Sequence, residues 1–102
     1  MDIDRTLTLN DGKHSISYSF YSIYKTERIL KKKFSDLGDD PAGFIVWMVF
    51  AGLFNENESR TEDEIARLIP SKGVGEILKV CDAVYNADVG SDDEPTPQSE
   101  GK

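Results

Sequence analysis

The groups in this chain that could carry chemistry are few. Its 102 residues hold one histidine, one cysteine and 19 carboxylates against 12 lysines and arginines. A catalytic thiol needs a base beside it, and a zinc site needs several sulfur or imidazole ligands. His14 lies near the start and Cys81 near the end, each the sole residue of its type. Neither makes a set, and a single cysteine excludes an intrachain disulfide. Asp39/Asp40 and Glu62/Asp63/Glu64 are acidic clusters without the alternating oxygen spacing of a calcium loop. Both stand where helix N-termini favour anions. Gly73 and Gly75 precede a helical segment but belong to neither GxxxxGK[ST] nor GxGxxG. No catalytic, metal or cofactor motif emerges, so non-enzymatic binding is the expectation.

The charge distribution narrows the partners. Residues 1–35 carry 7 basic and 4 acidic groups, whereas residues 36–102 carry 5 and 15, within a net charge of −7. The second half repels a phosphate backbone, so sequence-general nucleic-acid binding is disfavoured. The longest apolar run, Pro41–Phe54, makes a helix of about 21 Å against a hydrocarbon core of about 30 Å. It is too short to span a membrane. Met1-Asp2-Ile3-Asp4 is acidic where a signal peptide is basic, so the expected location is the cytoplasm.

The elements that must position these residues read as mainly α within an α+β class: an N-terminal hairpin on about four helices. They form one small domain over residues 1–88. Residues 3–9 and 14–20 alternate with period two around Asn10-Asp11-Gly12-Lys13. Asp11-Gly12 at the centre of a type I′ turn would pair Leu9 with His14, Leu7 with Ile16, Arg5 with Tyr18 and Ile3 with Phe20. All eight would then share one face. A helix over about 21–34 follows, with Phe20, Ile23, Tyr24, Leu30 and Phe34 as its apolar stripe. Glu27 interrupts the stripe, either as a wet-edge partner of Lys31 or as a buried polar anchor for the hairpin. Lys31-Lys32-Lys33 suits a helix C-terminus, and a docking patch for an acidic partner is its alternative role.

Asp40 caps and Pro41 opens a helix over 41–54 that is apolar all round. Such a helix is central or meets a partner, so Phe44, Trp47, Met48, Phe50, Ala51 and Phe54 are candidate protein-binding residues. Thr61 and Glu64 have capping-box spacing for a helix over 62–69, ended by Pro70. Ser71 is the expected cap of a last helix over 72–87, whose stripe is Val74, Ile77, Leu78, Cys81, Val84 and Tyr85. On that stripe Cys81 reads as a buried inert thiol. Residues 89–102 are acidic and almost free of apolar side chains, the composition of a disordered tail.

The order of these segments resembles a known family. Thr6-Leu7-Thr8-Leu9-Asn10-Asp11-Gly12-Lys13 leads into Tyr18-Ser19-Phe20-Tyr21-Ser22-Ile23-Tyr24 and Glu27. Phe50-Ala51-Gly52-Leu53-Phe54, then Thr61 to Ile69, then Glu76 to Tyr85 complete it. Over roughly residues 5–87 the chain resembles the tail assembly chaperones of long-tailed phages and prophages of Gram-positive bacteria. The resemblance implies a small, mainly helical protein that keeps the tape measure protein soluble in the host bacterial cytoplasm. It also implies help in recruiting tail tube subunits and absence from the mature virion; repeated weak contacts along one client would favour self-association, with the open hairpin edges as one route. A small acidic phage-encoded inhibitor or adaptor, a DNA mimic or a regulator, is the alternative.

Overall fold

The computed structural model describes residues 3–90. In chain order these form β1 (Thr6–Leu9), β2 (Gly12–Ser15), α1 (Phe20–Leu30), a short 3-10 turn (Phe34–Leu37), α2 (Pro41–Phe54), α3 (Glu62–Leu68) and α4 (Val74–Asp88). The architecture is the expected α+β one, an antiparallel hairpin followed by four helices. Of the tail expected over residues 89–102, all beyond Gly90 lies outside the described residues.

Helix α2 is the centre. It touches α1, the 3-10 turn, α3 and α4. Asp40 starts it, accepting a 3.0 Å hydrogen bond from the Gly43 amide, with Pro41 in the first turn. A Cβ at Gly43 would press on the Asp40 carboxylate, which would have to shift. The last eight residues, Trp47 to Phe54, are all buried. Trp47 is fully buried, and its indole donates to the Lys32 carbonyl at 3.0 Å. Trp47, Met48, Phe50 and Phe54, expected as a binding surface, are therefore core, and Phe44 is half-buried. The hairpin and the surrounding helices suffice to cover that end. Only the first turns of α2 stay partly open.

The hairpin keeps its expected inner face but not its expected register. The pairs are Leu7 with His14, Leu9 with Gly12 and Thr6 with Ser15. The ladder spans only residues 6–15, not 3–20. Gly12 takes φ +125°, and Lys31 is the only other described residue besides Gly73 with positive φ. Asn10 and Asp11 thus have negative φ, which excludes type I′ and gives a two-residue turn of the type I sense, with the ladder unbroken from Gly12 onward. Tertiary contacts favour that choice. Asn10 donates from its amide to the Leu68 carbonyl at 2.8 Å and from its side chain to the Arg67 carbonyl at 2.9 Å. These are carbonyls of the last turn of α3, which have no partner within the helix. The shift preserves parity, so Leu7, Leu9, Ile16 and Tyr18 remain buried.

The helix ends need two further corrections. Helix α1 begins at Phe20 on the Ser19 cap and stops at Leu30, where Lys31 turns left-handed (φ 59°). Of its expected remainder, residues 31–33 are irregular and Phe34 opens the separate turn at Phe34–Leu37. Helix α4 starts after Gly73, not on Ser71; Gly73 has φ +83° and caps without a side chain. Its buried stripe is Ile77, Cys81 and Val84. The Thr61–Glu64 box forms as expected, with reciprocal bonds of 3.1 and 2.7 Å.

Candidate functional site

The sequence placed Phe20 and Tyr24 on the buried stripe of α1. The structure turns them outward. Phe20 is 85% exposed, and Tyr21, Tyr24 and Ile29 are exposed as well. The face that meets the core instead centres on Ser22 and Thr26, both fully buried, with Ile23 and Leu30 half-buried beside them. Burying these hydroxyls is tolerable because each is satisfied within its own turn. Ser22 Oγ donates to the Ser19 carbonyl at 3.0 Å, and Thr26 Oγ1 donates to the Ser22 carbonyl at 2.6 Å. Small side chains there let α1 lie close to α2.

The outward face is ordered by its own contacts. The rings of Phe20 and Tyr24 stack at 6.3 Å with an 18° interplanar angle. The Arg28 guanidinium carbon sits 4.9 Å above the Tyr24 ring centre, within cation–π range. Phe20, Tyr24 and Arg28 are spaced by four residues and form one rib along the helix. Tyr21 leans on Phe54 at 6.0 Å. Beyond the rib, Arg28, Lys31, Lys32 and Lys33 line an open groove of about 390 Å³ with Glu27 and Asp36.

Glu27 is half-buried, with no hydrogen bond or ion pair among the described residues. It is not the anchor of the hairpin. Its carboxylate lies near Tyr85, whose phenol is raised first by burial and then by that charge. The anchor is Asp88, a residue the sequence reading passed over. Its carboxylate accepts two bonds from Arg5, at 2.8 and 2.7 Å, and one from the Tyr18 amide at 2.9 Å. The bond from Arg5 leads in holding Asp88 below the usual carboxylate range, and the Tyr18 amide adds to it. The signal was a carboxylate at the last residue of α4 and an unpaired arginine on the hairpin's inner face.

Cys81, Tyr18 and His14 are each held by burial or by partners within the fold. Burial pushes the Cys81 thiol up to about 11, which keeps it protonated at neutral pH. Tyr18 is raised well above its ordinary range, first by desolvation, and donates to the Met48 carbonyl at 2.7 Å. His14 lies between Asp11 at 2.6 Å and Glu56 at 2.9 Å. Among the described residues no three His, Cys, Asp or Glu side chains gather as a metal set. No described helix is long and apolar enough to cross a membrane.

A shallow apolar groove of about 340 Å³ remains at the open end of α2, lined by Ala42, Ile45, Val46, Ile69, Pro70 and Val74. Fold and surface together define a small α+β domain that presents one aromatic, basic helix face. No family model, curated protein or solved structure matches the chain.

Proposed function

We propose that the protein is a non-enzymatic phage tail assembly chaperone, acting in the host cytoplasm to bind and solubilise the tape measure protein and to help bring tail tube subunits to it. One observation of the structure supports this reading most: α1 leaves Phe20, Tyr21, Tyr24 and Ile29 exposed on a domain whose core is already filled. Exposed aromatic side chains stacked along one helix face, as Phe20 and Tyr24 are, suit an interaction surface. A tape measure protein is a long helical chain whose apolar stripes would aggregate if bare, and a small acidic domain with such a face could mask them. The contact moves from α2, where the sequence suggested it, to α1.

Co-expression with the neighbouring tail genes, followed by pull-down and light scattering, tests the reading. Soluble tape measure protein carrying several copies of this chain is the expected result. Recovery of the chain alone, with tape measure protein insoluble at the same level as without it, would reject the proposal.

A further inference from the structure

The chemistry of the α1 face is more specific than apolarity. Between Phe20 and Lys33 stand five cations, Lys25, Arg28, Lys31, Lys32 and Lys33, and one carboxylate, Glu27. In a chain of net charge −7 this is a local reversal of sign. Only one of the five cations has an ion pair among the described residues: Lys32, at 3.5 Å from Asp40. The rib of Phe20, Tyr24 and Arg28 rises about 12 Å along α1, two turns of a helix. It begins on a bare aromatic ring and ends in free positive charge. Tyrosine and arginine are the residue types that most often carry binding energy at protein interfaces.

We propose that this face docks an acidic amphipathic helix of a partner protein. Its apolar stripe lies over Phe20 and Tyr24, and its carboxylates meet Arg28, Lys31 and Lys33. Charge complementarity selects this occupant. A basic partner would be repelled by Arg28, Lys31 and Lys33, which line the groove without an ion pair among the described residues. A nucleic acid could stack on Phe20, but its phosphates would face Glu27 and Asp36 in the groove and the acidic remainder of the molecule. A helix can space its carboxylates to pass those two groups. The proposal rests on the protein being a binding protein, but not on the identity of the client.

The test uses the full chain and a labelled synthetic peptide of about 20 residues, with leucine at 3–4 spacing and glutamate on the flanks. Fluorescence anisotropy should show binding that weakens as salt rises, and no binding of the same peptide with lysine for glutamate. Joint Phe20→Ser and Tyr24→Ser substitution should weaken binding by roughly tenfold or more. Arg28→Glu with Lys31→Glu should do the same and flatten the salt dependence. Circular dichroism should show all variants folded, because every replaced side chain is exposed. Absence of peptide binding, or binding unmoved by these substitutions, would overturn the proposal. So would displacement of the peptide by an oligothymidylate, or light scattering that shows a dimer broken by Phe20→Ser. If tape measure recruitment survives while peptide binding is absent, this surface fails and the function stands. Peptide binding without any tail partner reverses that outcome.

Discussion

His14 joins the hairpin to the loop after α2 through both ring nitrogens. Nε2 meets Asp11 and Nδ1 meets Glu56. Two carboxylate acceptors require two N–H donors, so the ring is an imidazolium in this arrangement. The bond to Asp11 leads in raising the His14 pKa, burial opposes it, and Glu56 adds to it. Asp11 is lowered chiefly by His14; burial acts to raise Glu56, but the bond from His14 and the Arg60 ion pair outweigh it and lower it. A raised histidine contributes stability that is full below its unfolded value, about 6.5, and is lost as pH climbs through the folded value. The lowered carboxylates contribute stability above their unfolded values and lose it as pH falls through the folded ones. The contribution of this cluster should therefore be greatest between the carboxylate and histidine ranges and decline as pH rises from about 6.5 through the folded value. His14→Gln should remove the alkaline decline, as read by urea midpoints from pH 5 to 9. His14 is the only histidine, so one NMR titration reports its folded value, which should exceed that of a free imidazole. At Asp88 the expected order is different. Asp88→Ala should destabilise more than Arg5→Ala, because it also leaves the amide of buried Tyr18 without an acceptor. Asp88→Asn should fall between, keeping an oxygen for Tyr18 while weakening the hold on Arg5. Equal urea midpoints for Asp88→Ala and Arg5→Ala would remove the anchoring role.

The elements were legible where a local rule decides and illegible where packing does. Asp40-Pro41 and Thr61–Glu64 start helices with few alternatives, and both caps form as their residues predict. The apolar length of α2 set its bounds. The hairpin turn was decided by docking: Asn10 caps α3, and no residue near Gly12 announces that. The orientation of α1 was lost for a similar reason. A stripe of Phe20, Ile23 and Tyr24 and a stripe of Ser22 and Thr26 are both helical faces, and burial was assigned to the larger side chains. The room available beside α2 selects the smaller ones. Gly52 shows how tight that surface is on the hairpin side. A Cβ there would lie 3.1 Å from the Tyr18 hydroxyl and 3.2 Å from Ile16 Cβ, and its carbonyl accepts from the Ser17 amide at 3.0 Å. Gly52→Val should destabilise by about 1–3 kcal/mol through overpacking, although glycine is the poorer helix former. Gly75 meets nothing within 4 Å of its Cβ position. Gly75→Ala should therefore stabilise by roughly 0.5–1 kcal/mol. Urea unfolding of the two variants compares them directly, and a stabilising Gly52→Val would contradict the close hairpin–α2 approach.

At the scale of the molecule, one helix organises everything else. Helix α2 is surrounded by partners, and the hairpin reaches it through Ile16 and Tyr18 beside Gly52 and through the Tyr18–Met48 bond. A two-stranded hairpin is marginal alone in water, so β1 and β2 depend on the helices for their order. The helices depend on the hairpin in turn, since Leu7, Leu9, Ile16 and Tyr18 belong to the same apolar cluster as Trp47, Phe50, Phe54, Cys81 and Val84. No second cluster exists among the described residues to hold a part of the chain folded after α2 is exposed. Unfolding should then be a single cooperative step. Trp47 tests this well, being the sole tryptophan and fully buried at the centre of α2. Its emission reports the core, while far-ultraviolet circular dichroism reports all four helices. The two urea curves should coincide, with a free energy of about 4–13 kcal/mol on the usual per-residue scale. A Trp47 transition that precedes the loss of helix signal would mean that α1 or α4 survives without α2. In that case the exposed face of α1 would be a property of an independent helix and not of the assembled domain.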